Sequence, residues 1–167
     1  MTQTREQLLA GLKEAILTEQ TGVQFYTIAA ANTTDAQGRE VFGQLAQDEA
    51  EHQQWLRRQY GHLVKDEPWE TWKPVHHADL SGPIFSAGLR SRIGEAHWEM
   101  TALSVGLAVE EATVVRYREL ARAADRPDVR QFFEELVKWE ESHAEALSRQ
   151  SNLLKESYWR EARFAPF

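Results

Sequence analysis

Two copies of one pattern of polar residues limit what this chain can fold into more than any other feature does. Each copy has a Glu, a Tyr seven residues later, and a Glu-x-x-His motif that begins thirty residues after the first Glu. The first copy is Glu19, Tyr26, Glu49 and His52, and the second is Glu110, Tyr117, Glu140 and His143. Each member of the second copy lies 91 positions after its counterpart.

Apolar identities recur at the same offset, for example Phe42 with Phe133 and Leu45 with Leu136. Within each segment the matched positions step by three or four, which places them on one face of a helix. The repeated positions are therefore predicted to point inward, and they include four carboxylates and two imidazoles. An apolar interior cannot hold four unpaired carboxylates, whereas two divalent cations would neutralise them. Four Glu and two His form the ligand set of dinuclear carboxylate bundles.

Length and composition narrow the class of protein. The chain has 167 residues, so we expect residues 1–167 to form one domain with a substantial core. It contains no cysteine, which excludes disulfides, Fe–S clusters and a thiol nucleophile. The net charge of −7 argues against nucleic acid as a partner. Neither a signal pattern nor a membrane-spanning apolar run is present, so we expect a cytoplasmic protein without membrane contact.

Periodicity and breaker residues predict four main helices. The first covers 4–31, the second runs from about Arg39 to Tyr60 with Gly61 as its C-cap, and the third covers about 87–124. The fourth covers about 128–150, with Pro127 in its first turn. Residues 151–163 are predicted to form a short C-terminal helix. Phe164 and Phe167, in the C-terminal extension 151–167, would cap the bundle or meet a partner chain.

Residues 62–86 break the helical pattern with three prolines and form a connector. About 25 extended residues reach roughly 80 Å, and a 30-residue helix spans about 45 Å, so the connector can travel the length of a bundle. We therefore predict an all-α, ferritin-like four-helix bundle with a long second crossover connection. Its bundle part would cover about 4–150. His76 and His77, in the connector, are interpreted as a solvated dipeptide.

The repeat also predicts how the ligands divide between two metals. Glu49 and Glu140, in the centre of the bundle, would bridge both ions. Glu19 with His52 would complete one ion, and Glu110 with His143 the other. Oxygen and nitrogen ligands without sulfur suit iron, manganese or zinc. We expect two iron ions, because the proposed chemistry requires a change of oxidation state.

The paired Glu…Tyr and Glu-x-x-His spacings resemble the rubrerythrin and ferritin-like superfamily over roughly residues 4–150. The nearest resemblance is to rubrerythrin-like proteins that consist of the bundle alone. It implies that the four Glu and two His are di-iron ligands. Rubrerythrins typically reduce hydrogen peroxide at such a centre, and ferritins and bacterioferritins oxidise Fe(II) and can store it.

The chain departs from the family pattern at two points. Full-length rubrerythrins carry a cysteine-ligated rubredoxin centre, and this chain has no cysteine, so electrons must come from another protein or a small reductant. Rubrerythrins also carry an extra Glu three residues after the third-helix ligand, which helps an iron move between ligands. Here that position is Thr113, and its counterpart in the first repeat is Gly22.

Neighbouring residues leave alternatives open. Tyr26 and Tyr117 would hydrogen-bond ligating carboxylates, relay an electron, or serve as core aromatics. In bacterioferritins an Asp before the motif Glu orients the His of the opposing motif, which implies that Asp48 supports His143. The alternative is a solvated Asp48. Its counterpart is Trp139, which can only donate, so the two metal sites would differ in affinity. Gly22 and Thr113 would leave room for a small oxidant or allow close helix packing.

The function predicted from these residues is reduction of peroxide or oxygen by a dinuclear non-haem iron oxidoreductase that takes electrons from an external donor. A homodimer is the expected assembly. The alternatives are a ferroxidase or iron-handling protein of ferritin type, a non-catalytic metal-binding module, and an oxygenase acting on an organic or tRNA substrate.

Overall fold

The computed structural model describes residues 4–71, 73 and 79–161, and it is helical almost throughout. Its α-helices are α1 (Arg5–Asn32), α2 (Ala36–Lys65), the short α3 (Ala87–Arg90), α4 (His97–Ala123) and α5 (Pro127–Glu161). A 3₁₀ turn at Ile93–Glu95 precedes α4. No strand occurs within the described ranges. The predicted all-α, ferritin-like bundle is confirmed.

Local sequence signals start the first two helices. Thr4 forms a capping box with Gln7 at the start of α1, in which each side chain satisfies a backbone N–H group of the other. The Asp35 carboxylate caps α2 by accepting from the N–H of Gly38 at 2.9 Å. These caps leave a connection of only three residues between α1 and α2, so the two helices form a hairpin.

The bundle consists of two helical hairpins joined by the connector. Helix α1 packs along α2, and α4 packs along α5. The connector begins beside the start of α1, where the Arg5 guanidinium donates to the Leu63 carbonyl at 2.7 Å. It ends beside the start of α2, where the Ser86 N–H donates to the Asp35 carboxylate at 3.1 Å. The connector therefore runs the length of the bundle, as a long second crossover requires.

Two buried glutamines at equivalent positions of the repeat anchor the connector. The Gln59 side chain donates to the carbonyl of Glu70 at 2.9 Å and accepts from its N–H at 3.1 Å. Gln150, which lies 91 positions later, accepts from the N–H of Ile84 at 2.8 Å. Because buried backbone groups need partners, each glutamine supplies polar contacts where the extended chain crosses the bundle.

The structure corrects three predicted helix boundaries. Helix α2 continues past Gly61, the predicted C-cap, because Leu63 extends its buried stripe. It ends at Lys65, and its C-cap is Asp66, whose φ is 61°. The predicted third helix is interrupted between Arg90 and His97, where Ile93 and Ala96 are buried by the 3₁₀ turn. The predicted separation at residue 151 is wrong, because α5 continues without a break.

The continuity of α5 has a simple cause. Residues 128–161 contain neither Gly nor Pro. The buried side chains of Gln150, Ser151 and Leu154 keep the inward face going past the predicted end. The predicted C-terminal helical segment is thus present as part of α5. Phe164, Phe167 and the connector dipeptide His76–His77 lie outside the described residues.

Two apolar core regions lie along the bundle. One contains Leu12, Leu56 and Phe133, and the other contains Phe42, Leu103 and Leu147. Each region draws side chains from both hairpins, which holds the hairpins together. None of the helices in the described part of the chain combines the length and the apolar character needed to cross a lipid bilayer.

Candidate metal centre

Six polar side chains that the repeat predicts to point inward do meet inside the bundle. Each is at most 3% exposed to solvent. They come from all four long helices, and they are Glu19, Glu49, His52, Glu110, Glu140 and His143. The helical period explains the convergence, since Glu and His three residues apart share one face of α2 and of α5.

The six side chains form two overlapping groups of four. Glu19 and His52 belong to one group, Glu110 and His143 belong to the other, and Glu49 and Glu140 belong to both. Within each group, one oxygen or nitrogen atom from each residue lies within 4.8 Å of all the others. The geometry is therefore that of two adjacent cation sites sharing two carboxylates, and no third such group occurs among the residues described.

Each imidazole turns its Nδ1 atom toward the carboxylates. His52 Nδ1 lies 2.9 Å from Glu140 Oε1 and 3.5 Å from Glu19 Oε2. In the second group, His143 Nδ1 lies 3.1 Å from Glu49 Oε1 and 3.6 Å from Glu140 Oε2. The two rings are nearly parallel, with centroids 5.8 Å apart and planes inclined by 18°. The imidazoles thus flank the shared carboxylates from two sides.

Burial and mutual repulsion act most strongly on the outer carboxylates. Burial raises the pKa of Glu19 well above its usual value, and the charges of Glu140 and Glu49 raise it further. Burial likewise raises the pKa of Glu110, reinforced by the same two charges. Without a metal, both outer carboxyls therefore hold their protons to a higher pH than an ordinary glutamate does.

The two shared carboxylates differ from the outer ones, because contacts with neighbouring side chains lower their pKa values. Burial opposes ionisation of Glu49, but contacts with Glu19, His143 and His52 prevail and keep its pKa well below the usual range. Burial and Glu49 act against ionisation of Glu140, but His52 and His143 lower its pKa.

In the metal-free cluster both imidazoles hold their protons to a higher pH than an ordinary histidine does. Burial disfavours the imidazolium of His52, yet the charge of Glu140 raises its pKa well above 6.5. For His143, contacts with Asp48 and Glu140 likewise outweigh burial, and its pKa is also raised. Protons held on these groups therefore offset carboxylate charge in the metal-free cluster.

Several atoms in the cluster still lack a hydrogen bond. Among the described side chains, these buried atoms include Glu19 Oε2, both carboxylate oxygens of Glu140 and Nδ1 of His143. They lie at ion-pair distances from their neighbours without hydrogen-bonding geometry. A buried polar atom without a partner is costly, and a cation between these atoms would satisfy several of them at once. The residues present therefore fit a metal site.

The two tyrosines of the pattern cross between the repeats. The Tyr26 hydroxyl donates a short hydrogen bond to Glu110 Oε1, and the Tyr117 hydroxyl donates one to Glu19 Oε1. Burial raises the pKa of each tyrosine well above 10, and the nearby carboxylates raise it further. Both hydroxyls therefore remain donors at neutral pH. Each fixes one oxygen of an outer carboxylate and leaves the other facing an imidazole.

Asp48 and Trp139 contact the histidines from outside the cluster. Asp48 is fully buried, and its Oδ2 lies 3.2 Å from His143 Nε2. This is the geometry that a supporting role for Asp48 requires. The alternative prediction, that Asp48 is exposed to solvent, is wrong. Trp139 lies edge-on to His52, with ring centroids 5.7 Å apart and planes at 88°. The two halves of the cluster therefore differ in the group that holds the imidazole.

Gly22 and Thr113 are small residues at equivalent positions of the two repeats. Gly22 lies close to the shared carboxylate Glu49, and Thr113 lines a cavity. A Cβ atom on Gly22 would come within 3.2 Å of Glu49 Cγ. Thr113 is buried, and its hydroxyl donates to the Val109 carbonyl at 3.0 Å rather than to the cluster. A cavity of about 260 Å³ lies between α1 and α4, and its lining residues are Thr18, Thr21, Val109, Ala112, Thr113 and Arg116.

The structure also shows a buried carboxylate that sequence reasoning missed. Glu99 is 3% exposed and accepts from the Thr33 hydroxyl at 2.7 Å, away from the six-residue cluster. Its counterpart in the first repeat is Leu8, so the 91-residue comparison gave no signal for it. Glu99 lies in the first turn of α4, so its hydrogen bond to Thr33 ties that helix to the α1–α2 hairpin.

A helical bundle with a buried cluster of four carboxylates and two imidazoles has the fold and the donor set of a metal-binding protein. Residues 11–100 and 101–164 match the family model named Rubrerythrin. These segments cover most of the chain, which therefore belongs to the rubrerythrin family. Neither the comparison with curated proteins nor that with solved structures yields a significant match.

Proposed function

We propose that this protein is a dinuclear non-haem iron oxidoreductase that reduces hydrogen peroxide or oxygen as Fe(II) becomes Fe(III). One observation carries the proposal, namely the two buried four-residue groups that share Glu49 and Glu140. Membership of the rubrerythrin family supports iron as the metal. Reduction of one peroxide to two waters consumes two protons and two electrons, which two Fe(II) ions supply when bound.

The chain's own residues would bind, orient and shield the metals. In this proposal Glu19 and His52 hold one ion, Glu110 and His143 hold the other, and Glu49 and Glu140 bridge them. Apolar core regions on both sides keep bulk water from the cluster. This exclusion strengthens every interaction between a carboxylate and a cation, because the local dielectric constant is low.

The tyrosines would orient the outer ligands. Because Tyr117 occupies Glu19 Oε1, the remaining Oε2 is directed to the His52 side of the cluster. Tyr26 does the same for Glu110, whose Oε2 lies 3.9 Å from His143 Nδ1. Each hydroxyl thus holds a proton at a ligand carboxylate, close to where peroxide reduction consumes protons.

The cavity between α1 and α4 favours a small oxidant. Its lining includes Thr18 and Val109, which directly precede the outer ligands Glu19 and Glu110. A volume of about 260 Å³ is below the roughly 300–1,000 Å³ of pockets that bind drug-sized organic molecules. A small oxidant such as peroxide or oxygen therefore fits this cavity better than a large organic substrate does.

Stopped-flow mixing tests the oxidoreductase directly. The di-ferrous protein would be mixed with peroxide and, separately, with oxygen, and the ferric absorption would be followed. We expect it to rise faster than with the same concentration of free Fe(II). If neither oxidant gives a faster rise, the proposal fails. His52→Ala and His143→Ala should each lower the iron content, and unchanged stoichiometry in both would contradict the ligand assignment.

A ferroxidase of ferritin type is the second candidate, because its chemistry begins at the same kind of buried cluster. It would deliver ferric iron to the cavity of a large cage. Sedimentation separates the two candidates, since we expect a homodimer and a cage is far larger. A non-catalytic metal module is the third, and elemental analysis showing zinc, with no oxidant reaction, would favour it.

A further inference from the structure

A second cavity lies between the connector and α5. Its volume is about 310 Å³, and it is lined by Trp69, Glu70, Thr71, Asp128, Gln131, Phe132, Glu135 and Trp139. Trp139 is half-buried, and its ring lies edge-on to His52 at a centroid distance of 5.7 Å. One aromatic side chain therefore lies between this cavity and a proposed metal ligand.

A second aromatic route leads from the same cavity to the same half of the cluster. Trp69 lies edge-on to Phe133 with ring centroids 6.2 Å apart, and Phe133 lies 6.0 Å from the ring of Tyr117. The Tyr117 hydroxyl in turn donates to Glu19. Both routes thus end at Glu19 and His52, which belong to one of the two groups of four.

At the other end of the bundle the connector contributes a buried aromatic side chain. It is Phe85, which lies edge-on to Phe42 at 5.8 Å, and Phe42 stacks on Tyr26 at 6.2 Å. Phe85 is fully buried, whereas Trp69 on the matching side lines the cavity. The connector therefore packs Phe85 into the core at one end and places Trp69 in the wall of the cavity at the other.

The lining of this cavity defines the chemistry of a ligand. Trp69, Phe132 and Trp139 provide faces and edges for a flat ring system. Glu70, Asp128 and Glu135 provide carboxylate acceptors, and the described lining includes no Lys, Arg or His. Each carboxylate has a basic partner outside the lining, namely Arg58 and His62 for Glu70, Arg126 for Asp128 and Lys138 for Glu135. The lining therefore offers acceptors to the N–H groups of a ligand and supplies no basic side chain that would bind a phosphate.

We propose that this cavity binds the external electron donor, a planar heteroaromatic reductant that is uncharged or cationic. This rests on the proposed function, which needs two electrons per turnover and has no cysteine-bound centre in the chain to supply them. The reduced dihydro ring would lose two electrons and two protons and become the oxidised ring. The electrons would pass by way of Trp139 and return two Fe(III) to Fe(II), and the protons would balance those used in peroxide reduction.

Binding can be tested without iron. Lumiflavin, an uncharged isoalloxazine, would be titrated into the metal-free protein and followed by its fluorescence and by calorimetry. We expect saturable binding, weaker binding of the phosphate-bearing FMN, and loss of lumiflavin binding in Gln131→Trp, which fills the cavity from an exposed position on α5. Glu40→Trp is the matched control, because exposed Glu40 lies 91 positions earlier and should leave binding unchanged.

Electron delivery gives a second measurement. Reduced lumiflavin should reduce the di-ferric centre of the native protein and of Glu40→Trp, and this reaction should be lost in Gln131→Trp. Dithionite, which is small and inorganic, should still reduce all three proteins. Absence of lumiflavin binding, equal binding by Gln131→Trp, or reduction only by a protein donor would overturn this inference. The peroxide reaction of the di-ferrous protein would be unaffected by that outcome, so the two proposals fail separately.

Discussion

Asp48 and Trp139 occupy equivalent positions of the two repeats, and each contacts the histidine of the opposite repeat. Asp48 places a carboxylate 3.2 Å from His143 Nε2, and Trp139 places a ring edge-on to His52. A carboxylate raises the basicity of the imidazole it holds and fixes its tautomer, whereas an indole cannot accept a proton. One duplicated motif therefore carries two different supports, and the two proposed metal sites are chemically unequal.

This inequality predicts unequal metal affinities. In Asp48→Asn we expect the affinity for one of two Zn²⁺ ions to fall about 10–100-fold, because the charge behind His143 is lost. Calorimetric titration of the metal-free protein would resolve the two binding events. Trp139→Phe is the control, since it keeps an aromatic ring near His52 and should change neither event greatly. Equal weakening of both ions by Asp48→Asn would contradict the assignment.

The six cluster residues could be predicted because duplication marks them twice. A single Glu-x-x-His motif is weak, but the common 91-residue offset selects Glu49 with Glu140 and His52 with His143. The same comparison also points to Asp48 through its position beside Glu49. Helical period then places all of them on inward faces, as the structure shows.

Features outside the repeat were not predictable in this way. The offset says that Tyr26 and Tyr117 are equivalent, but the partner of each depends on how the hairpins face each other. The early end predicted at Gly61 failed because burial of Leu63 outweighed the low helix propensity of glycine. Glu99 was missed because burial of a lone carboxylate depends on a tertiary contact, here with Thr33.

Removing one tyrosine hydroxyl should destabilise the metal-free protein. Tyr117→Phe leaves Glu19 Oε1 buried without its donor, which typically costs about 1–3 kcal/mol in the free energy of unfolding. Urea denaturation of the metal-free protein would measure this change. Tyr60→Phe, at a half-buried position on α2, is the control and should cost less. Equal costs for the two variants would show that the hydrogen bond to Glu19 adds little.

The charge balance predicts how the stability of the metal-free protein depends on pH. The raised pKa values of Glu19, Glu110, His52 and His143 mean that the folded cluster holds protons that the unfolded chain releases. Their contribution is complete below the unfolded values of 4.5 and 6.5, and it is lost as the pH rises through the folded values. Stability should therefore begin to fall as the pH rises above 4.5, where the two carboxyls contribute, and should fall more steeply above 6.5, where the imidazoles add to the loss.

Glu49 and Glu140 act in the opposite direction at acidic pH. Their pKa values are lowered, so their contribution is present above 4.5 and is lost as the pH falls through the folded values. Thermal unfolding across a pH series, with and without metal, would test both the alkaline and the acidic loss of stability. The alkaline loss should be much smaller with metal bound, because the cations replace the protons. A metal-free protein that gains stability above neutral pH would refute this charge assignment.

Metal loading should release protons. Metal ligands must be deprotonated, so the protons that the two outer carboxyls and the two imidazoles hold leave when metal binds, at most about four for each pair of ions. Calorimetry in two buffers with different ionisation enthalpies would give this number. Apparent affinity should rise steeply with pH for the same reason. Release of fewer than about two protons would mean that the metal-free cluster is already ionised.

Space at Gly22 should matter for metal binding rather than for helix stability. In Gly22→Ala the new methyl group would press on Glu49, with contacts of 3.2 Å to Cγ and 3.3 Å to Oε2, and would displace a carboxylate that both proposed ions share. We expect weaker binding of both Zn²⁺ ions by calorimetry.

Gly43→Ala, on α2, is the matched control for Gly22→Ala, because a Cβ atom at this position would meet no other atom within 4 Å. It should leave metal binding unchanged and stabilise the protein by about 0.5–1 kcal/mol through lower backbone entropy in the unfolded chain. Identical metal affinities in the two variants would show that Glu49 can shift without cost and that the size of residue 22 is not a constraint on the centre.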